Sequence, residues 1–376
     1  MKSKVRVYIW NTYIKMGSNI PNNIRSKIGY KLHNMPDHPI NIVKKYIQDY
    51  FMKYDESIKI FDELDPIVSV DDNFDKLLIP IEHPSRSRSD TYYVDDNYVL
   101  RTHTTAHQNK LLSDGVDNFL VTGDVYRKDE IDRFHYPIFH QMEGVLKINL
   151  STANFEEIIS STLGKLVEYL FPNCSYEIKP DYFPFTENSY EIEVVFDNKL
   201  VEVLGCGFIH KKIKENNNLY GTYLAFGLGL DRLAMILFKI PDIRYMWSLD
   251  DKFLSQFSMN KFMKDKNNMI FIPFSNLCSV SKDISFYIPS DNKWCDEWVD
   301  ENNFFEIIRD IASEYIESVT LCDKFYNKKI NKISRMYRLT FSPTHNYVNP
   351  AEFNKKCIDL SEEIRCRINV LNVELR

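Results

Sequence analysis

Two stretches of the chain repeat apolar residues at the three- and four-residue spacing of an amphipathic helix. The first is HPINIVKKYIQDYF, residues 38–51, in which Pro39 occupies a favourable first helical position. The second is FEEIISSTLGKLVEYLF, residues 155–171. The spacing predicts that each helix buries one stripe. These stripes are Ile40, Val43, Ile47 and Phe51 in the first helix, and Phe155, Ile159, Leu163, Leu166 and Leu170 in the second.

Short apolar runs bounded by polar turns predict β-strands elsewhere. LVTGDVY (120–126) and FHQMEGVLKI (139–148) can pair as antiparallel strands, with the long polar segment between them as a loop. Further strands are predicted around 191–209 and 220–227, separated by the polar loop tip KENNN. GLGLDRLAMILFKI then changes from strand to helix. Strand-rich segments with peripheral helices predict an α+β fold built on a largely antiparallel sheet.

A polar interruption, SMNKFMKDKNNM at 258–269, is predicted to be a linker between two domains. Beyond it, the patterns predict the following order: strand (MIFIPF), strand (SKDISFYI), helix (FFEIIRDIASEYIESV), strand (LCDKFY), strand (SRMYRLTF) and helix (PAEFNKKCIDLSEEIRCRI). Residues 270–376 are therefore predicted to form a separate α+β unit.

Length and composition agree with a globular protein of several domains. A chain of 376 residues has room for two or three domains with a substantial core. No apolar run approaches the ~20 residues that span a bilayer, so no transmembrane helix is predicted. The cysteines lack CxxC or Cys/His pairing, which predicts reduced thiols and no zinc site. They are Cys174, Cys206, Cys278, Cys295, Cys322, Cys357 and Cys366.

The formal net charge of −6 argues against general coating of nucleic acid, but local basic stretches still matter. Acidic residues are absent from Lys324 to Ala351, where aromatic residues interleave the cations as base stacking requires. An RNA-contacting surface and a solvated hairpin rim are both open interpretations. The cations are Lys324, Lys328, Lys329, Lys332, Arg335 and Arg338, and the aromatic residues are Phe325, Tyr326, Tyr337, Phe341 and Tyr347.

Residues 1–36 are basic and contain no acid, since the first acidic residue is Asp37. This composition is typical of an organelle transit segment. Serines are few, however, and an ordered or tRNA-contacting arm would have the same composition. The basic residues are Lys2, Lys4, Arg6, Lys15, Arg25, Lys27 and Lys31.

The densest chemistry lies in VTGDVYRKDEIDRFHYPIFHQMEGV, residues 121–145. Arg127 ends the first predicted strand and offers a planar fork of donors that can clamp the α-phosphate of ATP. Asp129 or Glu130 can accept a hydrogen bond from an exocyclic amine, and His135 can donate one to a phosphate. Long loops on a rigid sheet usually carry function. The segment therefore predicts a nucleotide site.

The returning strand of this segment adds two further functions. Phe139 gives a flat face for a purine. Gln141 and Glu143 are two residues apart, so they point to the same face of the strand and can hold an ammonium group. Each residue alone is ordinary, and their joint order and spacing carry the prediction.

This segment resembles motif 2 of the class II aminoacyl-tRNA synthetases, and in particular that of phenylalanyl-tRNA synthetase in its single-chain, mitochondrial form. There an arginine follows an aromatic residue, and the loop closes with FHQ and a glutamate. The resemblance spans roughly residues 30–376. It extends in order to LLIPIEHPSRSRSDTYYV, VLRTHTTAHQ, YFPFTENSYEIEV, VEVLGCG and YLAFGLGLDRLAMILFKIPDIR.

The resemblance implies a two-step ligation of L-phenylalanine to tRNA(Phe), with ATP and Mg²⁺. By this resemblance, Arg127 grips the α-phosphate and Arg232, at the start of a helix, meets the γ-phosphate of a bent ATP. A helix start also favours anions. Gly227 and Gly229 let the backbone lie close under the adenine. Glu202 is a candidate Mg²⁺ ligand, with an ion pair in the sheet as an equal alternative.

The resemblance also implies an amino-acid pocket. Phe183 and Phe185 of the FPF sequence contact the substrate ring, and Ala225 leaves room at its far end. His103, Thr105, Gln141 and Glu143 hold the ammonium and carboxylate groups. Thr105 departs from the family, which commonly has serine there, so the hydroxyl remains but a methyl is added.

The implied organisation is a basic extension at 1–36, a catalytic domain at 37–257, a linker at 258–269 and a ferredoxin-like anticodon-binding domain at 270–376. The basic residues between Lys324 and Arg338 would contact tRNA. The single-chain family is monomeric, so a monomer is expected, although the first helix takes the place of motif 1, which builds the dimer interface in most class II enzymes.

No editing domain fits in this organisation, so retention of some Tyr-tRNA is expected. The mitochondrial matrix is the first expectation for location, with plastid and cytosol left open. The alternative function is a catalytically inactive relative that binds tRNA or senses an amino acid. Such relatives usually lose a motif arginine or a pocket residue, whereas Arg127 and Arg232 are both present.

Overall fold

The computed structural model describes residues 18–148, 154–172, 174–196, 199–273, 277–289, 298–344 and 349–376. Residues 1–17 of the predicted transit segment, Cys295 and Tyr347 lie outside these residues. The cysteines within them are free, as predicted. No helix in the described ranges is long and apolar enough to cross a membrane.

The strands and helices, numbered here in chain order, occupy the following positions. The strands are β1 (Lys59–Phe61), β2 (Ile67–Ser69), β3 (Tyr98–Leu100), β4 (Phe119–Tyr126), β5 (Ile138–Ile148), β6 (Tyr176–Asp181), β7 (Thr186–Phe196), β8 (Lys199–Ile209), β9 (Thr222–Gly229), β10 (Val280–Tyr287), β11 (Ile316–Asn327), β12 (Lys332–Phe341) and β13 (Glu374–Leu375). The α-helices are α1 (Asn22–Arg25), α2 (Pro39–Tyr54), α3 (Val70–Asn73), α4 (Gln108–Ser113), α5 (Phe155–Ile159), α6 (Lys165–Leu170), α7 (Lys211–Asn216), α8 (Leu230–Phe238), α9 (Asp251–Leu254), α10 (Met259–Lys264), α11 (Glu301–Ala312) and α12 (Pro350–Arg367). A π-helical turn, Ser160–Gly164, joins α5 to α6. Short 3-10 turns lie at Leu32–Asn34, Asp75–Leu77, Pro84–Arg86, Thr104–His107, Ile243–Trp247, Lys266–Asn268 and Ile368–Leu371.

The first unit of the structure is the part that precedes β10, and the second unit begins with β10. A seven-stranded sheet in the order β1-β4-β5-β9-β8-β7-β6 forms the centre of the first unit. Its edge pair β1–β4 is parallel. The other neighbours in the sheet are antiparallel, as predicted. The predicted hairpin with a long loop is confirmed, because β4 pairs with β5 in register from Phe119↔Val145 to Tyr126↔Ile138.

The two faces of this sheet have different roles. Strand alternation sends Met142 of β5 and Phe226 and Leu228 of β9 into the main hydrophobic core. Helices α2 and α8 pack in that core, where the predicted stripe of α2 is fully buried. The opposite face, which carries Gln141 and Glu143, is therefore left for a site.

The second unit has the order β10-α11-β11-β12-α12-β13, and its sheet order is β11-β12-β10-β13. All its described strand pairs are antiparallel. This βαββαβ arrangement, with both outer strands beside the first and third, is the predicted ferredoxin-like fold. Its core is built from α11, α12 and one face of the sheet, and it includes Phe286, Phe304 and Ile364.

Several predicted elements were wrong in detail. Phe155 is 39% exposed rather than inward, although the other residues of its predicted stripe are buried. Part of the KENNN loop belongs to helix α7. The start of MIFIPF, Met269–Pro273, is not a strand. The predicted helix from Phe304 ends at Ala312, and strand β11 begins at Ile316.

The predicted linker also differs from an open connection. It contains α10 and a 3-10 turn, and Phe262 and Met269 are each 1% exposed in the core of the first unit. Phe271 belongs to the same core, and its amide donates to the carbonyl of Phe238 at 2.8 Å. Two apolar residues within the predicted linker, and Phe271 just beyond it, therefore pack in the core of the first unit.

Candidate active site

The site lies on the face of the large sheet that is turned away from the main core. In the register of β5 and β9, Glu143 lies opposite Gly227 and Gln141 lies opposite Gly229. A cavity of about 550 Å³ opens above them. Of the predicted site residues it is lined by His103, Thr105, Arg127, Asp129, Gln141, Glu143, Phe183, Phe185, Glu202, Ala225 and Gly227.

Arg127 enters this cavity at the end of β4. Its Nε donates to the carbonyl of Thr102 at 2.7 Å, and its guanidinium lies 5.3 Å from the centre of the Phe139 ring. Burial lowers the pKa of Arg127, the charges of Asp129 and Glu202 oppose that shift, and Arg232 adds to it. Among the described residues, no acceptor binds its two terminal nitrogens. Arg127 is therefore held through Nε, and its two terminal nitrogens are available to donate to an anion.

Arg232 lies in the first turn of α8, directly after the strand that carries Gly229. Its Nη1 is 3.6 Å from Oε2 of Glu202. Arg232 does not line the cavity, but its charge reaches both Arg127 and His135, whose pKa values it lowers. Arg232 thus lies at the N-terminal end of the helix, which carries a partial positive charge.

The neighbouring Asp231 fixes the helix start to the sheet, and the sequence prediction missed it. Its Oδ2 accepts the backbone N–H of His140 at 2.5 Å, and the His140 ring lies 3.3 Å from the same carboxylate. Asp231 is 2% exposed and His140 is fully buried. Because Phe139 and Arg232 are their chain neighbours, this bond fixes the spacing of two predicted ATP contacts.

An open floor and an aromatic wall bound the cavity. A Cβ added at Gly227 would meet no atom within 4 Å, so the backbone there is open to a flat group. The Phe183 and Phe185 rings are stacked with centres 5.9 Å apart and planes at 18°. A Cβ at Gly205 would lie 2.8 Å from Phe183. Gly205 thus makes room for Phe183, and the only signal for it in the sequence was a glycine within a strand.

Glu143 is a buried acid of the site with an unsatisfied oxygen. It is 4% exposed, and its Oε1 has no hydrogen-bond partner among the described residues. Burial raises the pKa of Glu143 to about 8, while a hydrogen bond from the Thr105 side chain opposes the rise. A buried carboxylate without a cation is costly, so this position favours a ligand with a positive charge.

His103 stands on the cavity wall beside Phe185, with ring centres 6.2 Å apart. Burial, together with the charge of Arg127, lowers the pKa of His103 to about 3. The imidazole is therefore neutral near pH 7. It can contribute a hydrogen bond to a ligand but not a charge.

Three loop residues predicted for ATP lie in different places. Asp129 lines the cavity, whereas Glu130 is exposed and outside it. His135 also lies outside the cavity lining, with Nδ1 2.8 Å from Asp132. That hydrogen bond raises the pKa of His135. His135 therefore lies outside the cavity, but close enough to Asp129 and Arg232 for their charges to change its pKa.

Acidic residues on β7 and β8 are the candidate Mg²⁺ ligands. Glu202 lies opposite Glu193 in the sheet. Burial raises the pKa of the nearby Glu191 carboxyl, and the charges of Glu193 and Glu202 raise it further. Within the described ranges no group of three or more metal-ligating side chains is assembled. The donor set fits a cation that keeps most of its waters, with Glu202 and Glu191 as the carboxylates.

The basic stretch of the second unit divides into exposed and buried members. Lys324, Lys328, Lys329 and Arg338 are exposed, and Phe325 and Tyr326 are exposed between them. Arg335 must be removed from the predicted RNA contacts, because it is 1% exposed and bonds Glu301 at 3.0 Å. Tyr337 and Phe341 are likewise buried. Alternation along β12 places Arg335, Tyr337 and Phe341 on its buried face and Arg338 on its exposed face.

Comparison with known proteins identifies the family to which this site belongs. A model of the family described as tRNA synthetases class II core domain (F) matches residues 22–257. The chain belongs to the class II tRNA synthetases. The match covers the large sheet and every residue that lines the cavity. It begins before residue 37, where the catalytic domain was predicted to start.

Within the class II synthetases, curated relatives match nearly the whole chain. The chloroplastic/mitochondrial phenylalanine–tRNA ligase of Arabidopsis thaliana is 43% identical over 96% of this chain and 83% of the relative. The probable mitochondrial phenylalanine–tRNA ligase of Drosophila melanogaster is 36% identical over 97% and 91%, respectively. The mitochondrial ligase of Dictyostelium discoideum is 37% identical over 96% and 90%. The resemblance to the single-chain phenylalanyl-tRNA synthetases is thus confirmed.

Proposed function

We propose that this protein ligates L-phenylalanine to tRNA(Phe) in two steps at the expense of ATP. One observation carries the proposal: two groups face one cavity beside the stacked rings of Phe183 and Phe185. They are Oε1 of Glu143, which has no hydrogen-bond partner among the described residues, and the terminal nitrogens of Arg127, whose Nε alone is held by the chain. An ammonium, a phosphate and a phenyl group thus each have a partner. The names of the relatives support the same reaction.

In the first step, a carboxylate oxygen of phenylalanine attacks the α-phosphorus of ATP and pyrophosphate leaves. No covalent intermediate with the protein is required, so rate comes from orientation and charge stabilisation. Arg127 binds the α-phosphate, where negative charge collects. Arg232 binds the far end of the triphosphate, and Phe139 stacks on the adenine above the open backbone of Gly227. Mg²⁺, held through Glu202, would neutralise phosphate charge.

In the second step, the terminal ribose hydroxyl of the tRNA attacks the carbonyl of the adenylate and AMP leaves. Glu143 and Gln141 keep the ammonium group fixed through both steps, with Thr105 supporting Glu143. Phe183, Phe185 and Ala225 form the slot for the phenyl ring. His103, which is neutral, contacts the carboxylate end.

The direct test is ATP–pyrophosphate exchange by the purified protein with each of the twenty amino acids. We expect exchange with phenylalanine far above the others. Exchange with no amino acid would favour the alternative of a catalytically inactive relative. Exchange with a different amino acid would retain the class II chemistry and overturn the assigned substrate.

The second unit is proposed to bind the anticodon region of the tRNA. Its exposed cations Lys324, Lys328, Lys329 and Arg338, with Phe325 and Tyr326, provide charge and stacking surfaces. Lys332 is half-buried and paired with Glu374, and Arg338 is paired with Asp283 at 2.8 Å, so their contributions are smaller.

A monomer in an organelle is proposed for the assembly and location. Helix α2, which takes the place of the dimer-forming motif, is buried on most sides by its own chain. Its polar residues are also satisfied within the chain, since Lys44 bonds Asp62 at 2.7 Å. The relatives are named mitochondrial or chloroplastic/mitochondrial, which supports an organelle, with the mitochondrial matrix as the first choice.

Replacing Phe185 by alanine is expected to weaken phenylalanine binding more than catalysis. Loss of one face of an aromatic slot should raise KM for phenylalanine by about 10- to 100-fold. KM for ATP should change little, because Phe185 lies at the amino-acid end of the cavity. Steady-state exchange measured against each substrate checks this, and an equal rise in both KM values would contradict the assignment.

The purified protein is expected to form and retain some Tyr-tRNA. An apolar pocket rejects one added hydroxyl by only about 10²-fold unless the fit is sterically tight. Charging with labelled tyrosine, followed by incubation of preformed Tyr-tRNA with the protein, measures formation and hydrolysis separately. Rapid deacylation of Tyr-tRNA above the spontaneous rate would contradict this prediction.

A further inference from the structure

The second unit contacts the middle of the loop between β4 and β5, at residues 130–133. Ile131 is 6% exposed and packs in the hydrophobic core of that unit, although it belongs to the chain of the first. Its carbonyl accepts the backbone N–H of Val319, from β11, at 2.9 Å. Ile131 thus contacts the second unit both through its buried side chain and through a backbone hydrogen bond.

Two charged residues of the second unit form further hydrogen bonds to this loop. Arg309 of α11 donates through Nη2 to the carbonyl of Glu130 at 2.8 Å. The same guanidinium is held by Glu306, which in turn accepts from the hydroxyl of Tyr92 at 2.9 Å. Glu317 of β11 accepts from Nε of Arg133 at 2.7 Å. Glu130, Ile131 and Arg133 are therefore each held from the second unit.

The near side of the loop is anchored to the first unit. The amide of Lys128 donates to the carbonyl of Asp90 at 2.9 Å, and the amide of Ile243 donates to the carbonyl of Arg133 at 2.9 Å. Asp129 lies between these anchors, and His135 lies two residues beyond Arg133. Both are proposed ATP contacts, so a shift of residues 130–133 would displace them.

We propose that the second unit is a part of the ATP site, and that Glu317, through its pair with Arg133, is a positioning residue for the first step of the reaction. This pair, together with the contacts to Glu130 and Ile131, holds the loop so that Asp129 and His135 keep their places around the nucleotide. This inference rests on the proposed function, and it assigns to the second unit a role in a step in which tRNA takes no part.

The test is pyrophosphate exchange without tRNA by the full-length protein and three variants: Arg133→Met, Glu317→Gln and the double variant. We expect each single variant to raise KM for ATP by about fivefold, as the loss of a partly exposed charged pair predicts. The double variant should be no worse than the stronger single one, because one shared contact is lost. KM for phenylalanine should stay unchanged.

A matched control comes from the same unit. Arg367 and Asp310 form an ion pair at 2.7 Å between α12 and α11, and the Arg367 side chain is 49% exposed, against 54% for Arg133. Arg367→Met and Asp310→Asn should leave KM for ATP unchanged. Because KM does not depend on the fraction of folded protein, partial unfolding of a variant cannot imitate the expected result.

The outcomes separate this inference from the proposed function. Absence of phenylalanine-dependent exchange in the unaltered protein would overturn the function itself. Normal exchange together with unchanged KM for ATP in Arg133→Met and Glu317→Gln would overturn only the positioning role. An equal rise in KM for ATP in the control pair, or an equal rise in KM for phenylalanine, would also overturn it, because the effect would then be a general one.

Discussion

Replacing Arg127 by alanine lowers the maximal rate of phenylalanine-dependent exchange by about 10²- to 10³-fold, the cost of losing one preorganised donor to a charge that forms during reaction. The effect is expected on kcat because the guanidinium is already held in place by Thr102 and Phe139 before ATP arrives. Single-turnover formation of the adenylate at saturating ATP measures this step directly.

Arg127→Lys is the informative companion variant. Lysine keeps a positive charge but lacks the second edge of the fork and the planar group that faces Phe139. We expect a rate between those of the unaltered protein and Arg127→Ala. Thermal unfolding of all three proteins controls for folding, since Nε of Arg127 also supports the Thr102 carbonyl. A rate within fivefold of normal for Arg127→Ala, with the protein folded, would remove Arg127 from the reaction.

The large sheet and the second unit were predictable because their signals are local. The apolar stripe of α2 predicts one buried face, and the structure buries it. The apolar runs at β4 and β5 predict two paired strands, and these pair as an antiparallel hairpin with β4 buried on both faces. Short or mixed segments were not predictable in this way. Residues 316–319, IESV, continue the apolar spacing of α11, but they join β11 because β12 supplies the backbone hydrogen bonds.

The site was predicted only to the extent that its residues follow one another in strands. Gln141 and Glu143 share a face by alternation, which requires no knowledge of the fold. Gly205 and Asp231 were missed, because what each contacts lies on a different element: Phe183 for the first and His140 for the second. Arg335 was misplaced for the opposite reason, since its charge is evident in sequence while its burial against Glu301 is not.

Phenylalanine binding is expected to be pH-dependent through Glu143. With a pKa of about 8 in the free protein, this carboxyl is mostly protonated at pH 7. The ammonium group needs the carboxylate, so bound phenylalanine lowers the pKa and releases a proton. KM for phenylalanine should therefore fall as the pH rises from 6 to 8 and then level off. Calorimetry in buffers of different ionisation enthalpy measures the released proton, and KM for ATP serves as the internal control.

Glu143→Gln tests the origin of this dependence and should have the largest effect on substrate affinity. The amide nearly preserves the shape of the side chain but cannot carry the charge that a buried ammonium requires, so KM for phenylalanine should rise by about 10²-fold. The slope of KM between pH 6 and 8 should vanish with it. If the slope remained in Glu143→Gln, another group would be the titrating one. If the unaltered protein showed no slope while the variant bound weakly, Glu143 would be the ammonium partner but already ionised before binding. The two measurements together thus separate the identity of the partner from its protonation state.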